Sequence, residues 1–205
     1  MTMFKSLLMT PSKKSRKEAV RGRPLTVCLI GCGPAGMSFL HAVRKKRAEG
    51  SMKGTNLIVT CYESANRPGG LWRDRSAKHP EKDGTVMYDH QWTNVPKELS
   101  EYHDYTFDRH FQGAAPSFLT RRDMLDYMIA RNSADGALDY VNYGHAVTSV
   151  VYDPLIEKFH VSATVTATGE AVSASYDRCL WAGGLHSVPH LPPDLLAVLS
   201  DFDGD

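Results

Sequence analysis

Three glycines and one acidic residue are the residues whose types and spacing point most directly to chemistry. Gly31, Gly33 and Gly36 form the pattern G-x-G-x-x-G, and Glu63 lies 27 residues beyond the last of them. In a dinucleotide-binding loop the first glycine permits a tight turn, the second lets backbone N–H groups approach a pyrophosphate, and the third lets a helix pack against a strand. A carboxylate at the position of Glu63 accepts hydrogen bonds from the ribose hydroxyls and repels a 2′-phosphate. The pattern therefore predicts a site for FAD or NAD rather than for NADP.

The segments on both sides of the glycines have the composition that such a loop requires. Residues 25–30 form a continuous apolar run, which is typical of a strand buried on both faces of a parallel sheet. After the loop, apolar residues from Met37 onward recur at helical spacing as far as the basic stretch 44–47. Pro34 and Ala35 then lie at the start of this helix, where the phosphates of a cofactor would meet its positive N-terminus.

A second buried strand is expected to carry Glu63. Residues 57–62 form another apolar run that ends immediately before this acid, and a polar, glycine-containing loop at 49–56 precedes the run. The acid of such sites usually follows the glycines by about 20 residues, and the length of this loop accounts for its later position here. The order of strand, loop, helix, strand and acid favours a cofactor site over a glycine-rich turn without a ligand.

Two tryptophans and an asparagine offer groups suited to a planar cofactor. Trp72 and Trp92 provide flat apolar surfaces against which a flavin or nicotinamide ring packs. Asn94 supplies a neutral donor and acceptor that does not act as a proton source. Considered singly, each tryptophan is more often a core residue, and an asparagine near Pro96 is more often a turn residue. Only the ordered set favours the functional interpretation.

Three motifs in a fixed order carry a family resemblance. They are G-G-L-W at 69–72, M-Y-x-x-x-W-T-N-x-P-K-E at 87–98 and D-Y-T-F at 104–107. Together with the glycine-rich loop and Glu63, they resemble the flavin-containing monooxygenases, especially the branch related to the bacterial trimethylamine monooxygenases. The resemblance extends from residue 25 to residue 205.

The resemblance implies roles for individual residues. In that family the residue matching Asn94 lies beside the isoalloxazine ring and serves catalysis. The residue matching Trp92 lies near the nicotinamide cofactor, and the residue matching Val147 contacts the adenine through its backbone. Besides these three, the implied cofactor-binding residues are Gly31, Gly33, Pro34, Ala35, Gly36, Glu63, Gly70, Leu71 and Trp72.

The implied activity is that of an FAD- and NADPH-dependent monooxygenase. NADPH reduces FAD, O₂ gives a C4a-hydroperoxyflavin, and one oxygen atom passes to a soft nitrogen or sulfur nucleophile such as a tertiary amine. The implied partners are therefore a small-molecule amine or sulfide and O₂, with a homodimer for the full-length protein. Two alternatives stay open, namely a non-catalytic FAD-binding fragment or interaction protein and a Baeyer–Villiger monooxygenase.

The second half of the chain is expected to cover the first. Thr120 and Asp123 have the spacing of a helix N-cap and an acid at its third position, and apolar residues follow at helical spacing. The run 178–184 predicts a further buried strand. Alternating patterns predict the three strands of a β-meander, at 146–152, 158–167 and 171–178. The expected fold class is α/β, a three-layer Rossmann-like FAD-binding domain with a parallel sheet and an inserted β-meander.

Composition and charge exclude several classes of protein. The 205 residues carry a net charge of +1, and no apolar run is long enough to span a bilayer. We therefore expect no nucleic-acid partner and no transmembrane segment. The four cysteines are too few for a disulfide scaffold, and three of them lie in apolar runs, which favours a reducing, cytoplasmic location. Cys28 and Cys32 have no second ligand pair at metal spacing, so no metal is expected.

Two regions of the chain have different expectations. Residues 1–24 contain seven basic residues and one acidic residue, which favours a disordered, solvated extension over the alternative of an organellar transit peptide. Residues 25–205 are expected to form the FAD-binding domain. The G-x-G-x-x-G pattern occurs once, and the resembled enzymes continue into a separate NADPH-binding domain. We therefore expect an incomplete domain, truncated at the entry to a missing NADPH-binding domain.

Overall fold

Within the residues that the structure describes, the chain begins with a strand, a helix and a second strand, continues with three helices and then five strands, and has a last helix after them. The computed structural model describes residues 23–54, 56–73, 87–88, 90–184 and 192–199, so the expectations for 1–22 and 200–205 lie outside the described residues. The strands are β1 (Leu25–Ile30), β2 (Leu57–Tyr62), β3 (Val141–Asn142), β4 (His145–Asp153), β5 (Lys158–Val165), β6 (Ala171–Tyr176) and β7 (Arg178–Trp181). The helices are α1 (Pro34–Ala48), α2 (Lys97–Ser100), α3 (Phe107–Phe111), α4 (Arg121–Ser133) and α5 (Pro193–Leu199), with 3₁₀ turns at Gly70–Trp72 and Ala137–Tyr140.

The strands form two sheets that lie against each other. β3, β2, β1 and β7 pair in that order, and all of them are parallel. β4, β5 and β6 pair in chain order as an antiparallel meander. Side chains of α1 and α4 pack on one face of the parallel sheet, and the meander packs on the other. These three layers confirm the α/β, Rossmann-like fold with an inserted β-meander.

β1 lies in the middle of the parallel sheet and is buried on both faces, as its apolar composition predicts. Leu29 belongs to one core cluster with Leu40 of α1 and Met128 of α4. Ile30 points to the opposite face and belongs to a second cluster with Val161 of β5. The end of β1, from which the glycine-rich loop departs, is therefore fixed from both sides.

α4 begins at the capping box that the sequence predicts. The Thr120 Oγ1 accepts a hydrogen bond from the backbone N–H of Asp123 at 3.2 Å, and the Asp123 carboxylate accepts one from the backbone N–H of Thr120 at 3.3 Å. The apolar positions that follow are core residues, since Leu125 and Met128 are buried. No helix in the described ranges combines the length and the apolar character that crossing a membrane requires.

Two bounds of the meander differ from the predicted ones. β5 ends at Val165 rather than at residue 167, because the chain turns there and Gly169 has a φ of +76°. The strand predicted at 171–178 is divided, since β6 ends at Tyr176 and Arg178 begins β7. Asp177 makes this division by pairing its own backbone with β1, its N–H donating to the carbonyl oxygen of Thr26 at 3.0 Å.

The side chain of Asp177 also connects the parallel sheet to the meander. Its buried carboxylate accepts hydrogen bonds of 2.9 Å from both the backbone N–H and the hydroxyl of Thr26. It forms ion pairs with Lys158 of β5 at 2.8 Å and with Arg23 at 2.6 Å. Burial by itself raises the pKa of Asp177, but the hydrogen bonds from Lys158 and Thr26 outweigh it and hold the pKa well below its usual range.

Two strands predicted to be buried are partly exposed. In β2, Ile58 is 46% exposed, and in β7, Leu180 and Trp181 are 36% and 70% exposed. The prediction of a buried strand at 178–184 is therefore wrong in its burial, and the strand ends at Trp181. β7 is an edge strand in the described part of the chain, where it pairs only with β1. An apolar run by itself does not distinguish a central strand from an edge strand.

Candidate cofactor-binding site

The glycine-rich loop joins β1 to α1, and two of its glycines occupy positions that exclude a side chain. Gly31 has a φ of +97°, which favours glycine, and a Cβ atom there would overlap the carbonyl oxygen of Ala182. A Cβ atom at Gly36 would overlap the carbonyl oxygen of Gly31. The tight turn and the close packing of the helix on the strand that the motif predicts are both present.

Gly33 keeps space open at the positive end of α1. It is the N-cap residue of the helix, Pro34 follows it, and the first turn contains no acidic residue. A Cβ atom at Gly33 would make only ordinary contacts, the nearest at 3.5 Å from the Cα of Gly70. Because the first N–H groups of a helix, including that of Ala35, have no partner within the helix, they are available to an anion.

The G-G-L-W motif lies directly against the glycine-rich loop. The backbone N–H of Gly69 donates to the carbonyl oxygen of Cys32 at 3.0 Å. A Cβ atom on Gly70 would lie 3.0 Å from the Cα of Gly33, so the two backbones approach closely here. Leu71 and Trp72 continue from Gly70 in the 3₁₀ turn. The structure therefore brings the two glycine-containing motifs together.

Glu63 follows β2 directly, and its carboxylate accepts hydrogen bonds from other groups of this chain. The residue is 6% exposed. Its Oε2 accepts the backbone N–H of Cys32 at 2.7 Å, while Oε1 accepts the backbone N–H of Ala65 at 2.9 Å and the hydroxyl of Ser64 at 3.3 Å. A carboxylate offers about four acceptor positions, so room is left for one further donor. Glu63 therefore holds the glycine-rich loop. The sequence predicts that its carboxylate binds two ribose hydroxyls, but only one acceptor position is left for them.

Thiols and a phenol lie behind the loop in neutral form. A hydrogen bond with Cys32 is the main cause, and burial the second, of a pKa of Cys61 that lies far above its usual range. The pKa of Tyr143 is raised mainly by burial and, to a smaller extent, by the nearby Cys32. On the opposite face of the sheet, burial raises the pKa of Cys28 to about 12. All four cysteines are free thiols. The buried, neutral thiols of Cys28 and Cys61 act as packing residues rather than as nucleophiles.

A buried arginine connects the G-G-L-W motif to the following motif. Arg121 is 4% exposed, and its Nη1 donates to the carbonyl oxygen of Trp72 at 2.7 Å. Its backbone N–H donates to the carbonyl oxygen of Gln91 at 2.8 Å. The indole of Trp72 packs partly against the core cluster on the helical face. This arrangement agrees with the core interpretation of that tryptophan and leaves only part of the ring for a ligand.

Trp92 and Asn94 lie on a short ribbon beside the start of α4. Trp92 forms an antiparallel bridge with Thr120, and the backbone N–H of Thr93 donates to the carbonyl oxygen of Leu119 at 2.8 Å. Both Trp92 and Asn94 are exposed. Within the described ranges, no hydrogen bond or ring contact joins either side chain to the glycine-rich loop. Their roles beside the flavin and the nicotinamide therefore stay predictions.

Val147 lies near the loop through the start of β4. The backbone N–H of His145 donates to the carbonyl oxygen of Glu63 at 2.9 Å, two residues before Val147. The side chain of Val147 packs against the cluster that contains Ile30, and the pairing of β4 with β5 shifts its register between Val147 and Ser149. The expected contact of its backbone with an adenine stays a prediction.

The D-Y-T-F motif has a structural role in the helical layer. Phe107 is fully buried, and the ring of Tyr105 stacks on Tyr127 of α4 with centroids 5.4 Å apart. The Asp104 carboxylate accepts a hydrogen bond from Arg131 Nε at 2.9 Å and lies 3.0 Å from His41 Nε2. Burial alone raises the pKa of Asp104, but Arg131 and His41 outweigh it and hold the pKa below its usual range. The motif thus fastens α4 to α1.

Sequence patterns do not reveal two residues of this site, Arg121 and Tyr143. Arg121 looks like an ordinary first residue of a helix, and its partner Trp72 is 49 residues away in the sequence. Tyr143 lies between β3 and β4. The alternating pattern there predicts a strand, but it does not predict that this tyrosine lies behind the glycine-rich loop. Neither residue leaves a signal in the sequence, because the burial that distinguishes each of them depends on how distant segments pack.

A glycine-rich loop between a parallel strand and a helix, with an acid after the next strand, defines a Rossmann-like dinucleotide-binding protein. A family model described as flavin-binding monooxygenase-like matches residues 25–205. The chain belongs to this family, which confirms the resemblance found in its motifs.

Individual relatives show the same likeness over part of their length. Trimethylamine monooxygenase of Pelagibacter sp. (strain HTCC7211) is 31% identical over 170 residues, or 81% of this chain and 37% of that relative. Flavin-containing monooxygenase 3 of Homo sapiens is 29% identical over 179 residues, or 87% of this chain and 31% of that relative. The crystal structure of Tmm from the same Pelagibacter strain has a TM-score of 0.69 at 31% identity and covers 82% of this chain and 38% of that one. The chain thus spans less than half of the length of these relatives.

Proposed function

We propose that this chain binds FAD and forms the FAD-binding part of a monooxygenase. The observation that supports this most directly is the cradle between Gly33 and Gly70 at the N-terminus of α1. The first N–H groups of the helix have no partner within it, the first turn carries no acidic side chain, and a Cβ atom at Gly33 would make only ordinary contacts with Gly70. The carboxylate of Glu63 supports FAD over NADP in this cradle, because it would repel a 2′-phosphate.

The proposed reaction is the oxygenation of a soft nitrogen or sulfur nucleophile, with a tertiary amine as the first candidate. FAD held in this cradle would supply the redox chemistry, since flavin accepts a hydride from NADPH and its reduced form reacts with O₂. The residues of this chain bind and orient the cofactor, and the Asn94 amide holds an oxygen-bearing group without delivering a proton. Trp92 offers its exposed ring to the nicotinamide. The relatives named as trimethylamine monooxygenases support an amine substrate.

Replacing Gly33 by alanine tests the cradle without disturbing the fold. Because a Cβ atom here makes only ordinary contacts, Gly33→Ala is expected to unfold at the wild-type temperature. Its affinity for FAD is expected to fall by about tenfold or more, since the methyl group lies where a pyrophosphate approaches the backbone. Titration with FAD, followed by flavin fluorescence, measures the change.

The matched control is Gly113→Ala, where a Cβ atom has nothing within 4 Å. This variant is expected to keep both the unfolding temperature and the FAD affinity of the wild type. Equal FAD affinity in Gly33→Ala and in the wild type would show that the pyrophosphate does not lie in this cradle.

A second candidate is an FAD-binding module that performs no oxygenation by itself. It is supported by the single G-x-G-x-x-G pattern in the sequence, because NADPH requires its own cradle with basic groups for the 2′-phosphate. On this candidate the 205-residue chain oxidises NADPH no faster than free FAD does, with or without trimethylamine. The loss of NADPH absorbance measures this, and faster oxidation would favour complete monooxygenase activity.

We further propose that the protein works in a reducing compartment such as the cytoplasm. The support is that all four cysteines are free and that Cys28, Cys32 and Cys61 are buried. Thiols in such positions behave as small apolar side chains, which is the usual state of cysteines in a reducing environment.

A further inference from the structure

The candidate site consists of two parts that different elements carry. The first part is the glycine-rich loop with the G-G-L-W motif, which contact each other through Gly33 and Gly70. The second part is the ribbon at 91–94, which carries Trp92 and Asn94. A flavin that extends from the pyrophosphate cradle to Asn94 requires a fixed distance between these parts. Among the described residues, the side chains of Trp92 and Asn94 make no hydrogen bond or ring contact with the first part that would set this distance.

Arg121 is the residue at which the two parts meet. Its side chain donates to the carbonyl oxygen of Trp72 in the first part, and its backbone N–H donates to the carbonyl oxygen of Gln91 in the second. The neighbouring residues extend the second contact, since Leu119 N–H donates to the Thr93 hydroxyl at 3.1 Å. The capping box of Thr120 fixes the start of α4, from which Arg121 projects.

The chemistry of a buried guanidinium suits such a connection. A charged donor to a backbone carbonyl in a site shielded from water makes a stronger hydrogen bond than a neutral donor does. The Arg121 side chain is almost fully buried, and its long stem spans the space between α4 and the 3₁₀ turn at Gly70–Trp72. The adjacent Arg122 differs completely, because its side chain is 80% exposed and its nearest carboxylate, on Asp126, is 4.0 Å away.

We infer that Arg121 is a positioning residue that holds the ribbon carrying Trp92 and Asn94 at a fixed place relative to the FAD cradle. The inference rests on the proposed function, because it takes FAD as the ligand that extends across both parts. Arg121 acts through the carbonyl oxygen of Trp72 and needs no contact with the cofactor itself. Its loss is therefore expected to affect ligands that extend across both parts more than ligands that occupy only the cradle.

Arg121→Gln tests this with two ligands of different reach. FAD affinity is expected to fall by about tenfold, the effect of losing one buried charge-assisted hydrogen bond, while the affinity for ADP changes by less than about threefold. Arg121→Lys, which keeps a charged donor, is expected to recover part of the FAD affinity. Arg122→Gln is the matched control and is expected to bind both ligands as the wild type does.

Hydrogen exchange of backbone amides separates this inference from the proposed function. In Arg121→Gln, and to a smaller extent in Arg121→Lys, the amides of Trp72 and Thr93 are expected to exchange faster while those of β1 do not change. Equal losses of FAD and ADP affinity, or faster exchange throughout the chain, would mean general destabilisation and would overturn the positioning role. A wild-type chain that binds no FAD would contradict the proposed function, and the local pattern of exchange would still decide whether Arg121 holds the two parts together.

Discussion

At the scale of single residues, Glu63 has a structural role beside the ligand-binding role that is proposed for it. Three protein donors occupy its carboxylate, and one of them is the backbone N–H of Cys32 inside the glycine-rich loop. The acid at the end of β2 therefore shapes the loop before any cofactor binds. A sequence motif identifies such an acid by its position, but it does not show that the same carboxylate supports the loop.

Replacing Glu63 by alanine is expected to reduce both stability and FAD affinity. The buried N–H of Cys32 loses its acceptor, so the free energy of unfolding should fall by about 1.5–3 kcal/mol. FAD affinity should fall in addition, because the loop is no longer held and a ribose acceptor is lost. Thermal unfolding and FAD titration measure the two effects, with the exposed Glu170→Ala as control. A variant with weaker FAD binding and wild-type stability would show that the hydrogen bonds from Glu63 to the loop contribute nothing to the free energy of unfolding.

At the scale of the elements, Asp177 connects β1, β5 and the β6–β7 junction. Its pKa is held below the usual range in the folded chain, so its contribution to stability is present above the ordinary aspartate pKa of about 3.9 and is lost as the pH falls below it. Asp177→Asn is expected to lower the free energy of unfolding at neutral pH by about 2–3 kcal/mol, because Lys158, whose side chain is only 21% exposed, loses its counter-ion.

Denaturant unfolding between about pH 6 and pH 2 measures this contribution. The wild type is expected to keep its stability down to about pH 4–5 and to lose it below that, where the Asp177→Asn curve should be flatter. Asp104, whose pKa is also lowered, accounts for part of the remaining slope at low pH. Asp126→Asn serves as control, because its side chain is 59% exposed and makes only a long contact with Arg122. Parallel curves for the wild type and Asp177→Asn would contradict the assigned role.

Much of the arrangement of elements follows from local patterns. The strand before Gly31, the helix after it and the capping box at Thr120 each depend on residues close in sequence, and the structure has them where the patterns predict. The exposure of Trp181 cannot be predicted from the sequence, because an edge strand and a central strand can have the same apolar pattern. The contact of Arg121 with Trp72 also escapes sequence analysis, since it depends on how two distant segments pack.

At the scale of the whole molecule, large apolar side chains remain exposed in several places. The ribbon at 91–94 and the edge strand β7 each carry an exposed tryptophan, Trp92 and Trp181. Exposed apolar groups next to an unpaired strand edge favour association between molecules. The same surfaces lie on a chain that spans less than half the length of its relatives.

Trp181→Ser is expected to reduce self-association without a large loss of stability. Its indole is mostly exposed, so the substitution removes little buried surface from the fold. It also makes β7, an edge strand within the described residues, more polar. Static light scattering over a range of protein concentrations measures the association. Leu155→Ser, at the exposed β4–β5 turn, is the control for a general effect of surface polarity, and an equal reduction in both variants would show that β7 has no special part in association.

The central claim is that the glycine-rich cradle of this chain holds FAD, and the absorbance spectrum of the purified protein tests it most directly. After incubation with FAD and removal of the free cofactor, the chain is expected to show the near-ultraviolet and blue bands of oxidised flavin with one FAD per chain. Heat denaturation should then release intact FAD, and Gly33→Ala treated in the same way should retain much less. A wild-type chain that folds but retains no flavin above the level of Gly33→Ala would contradict the account.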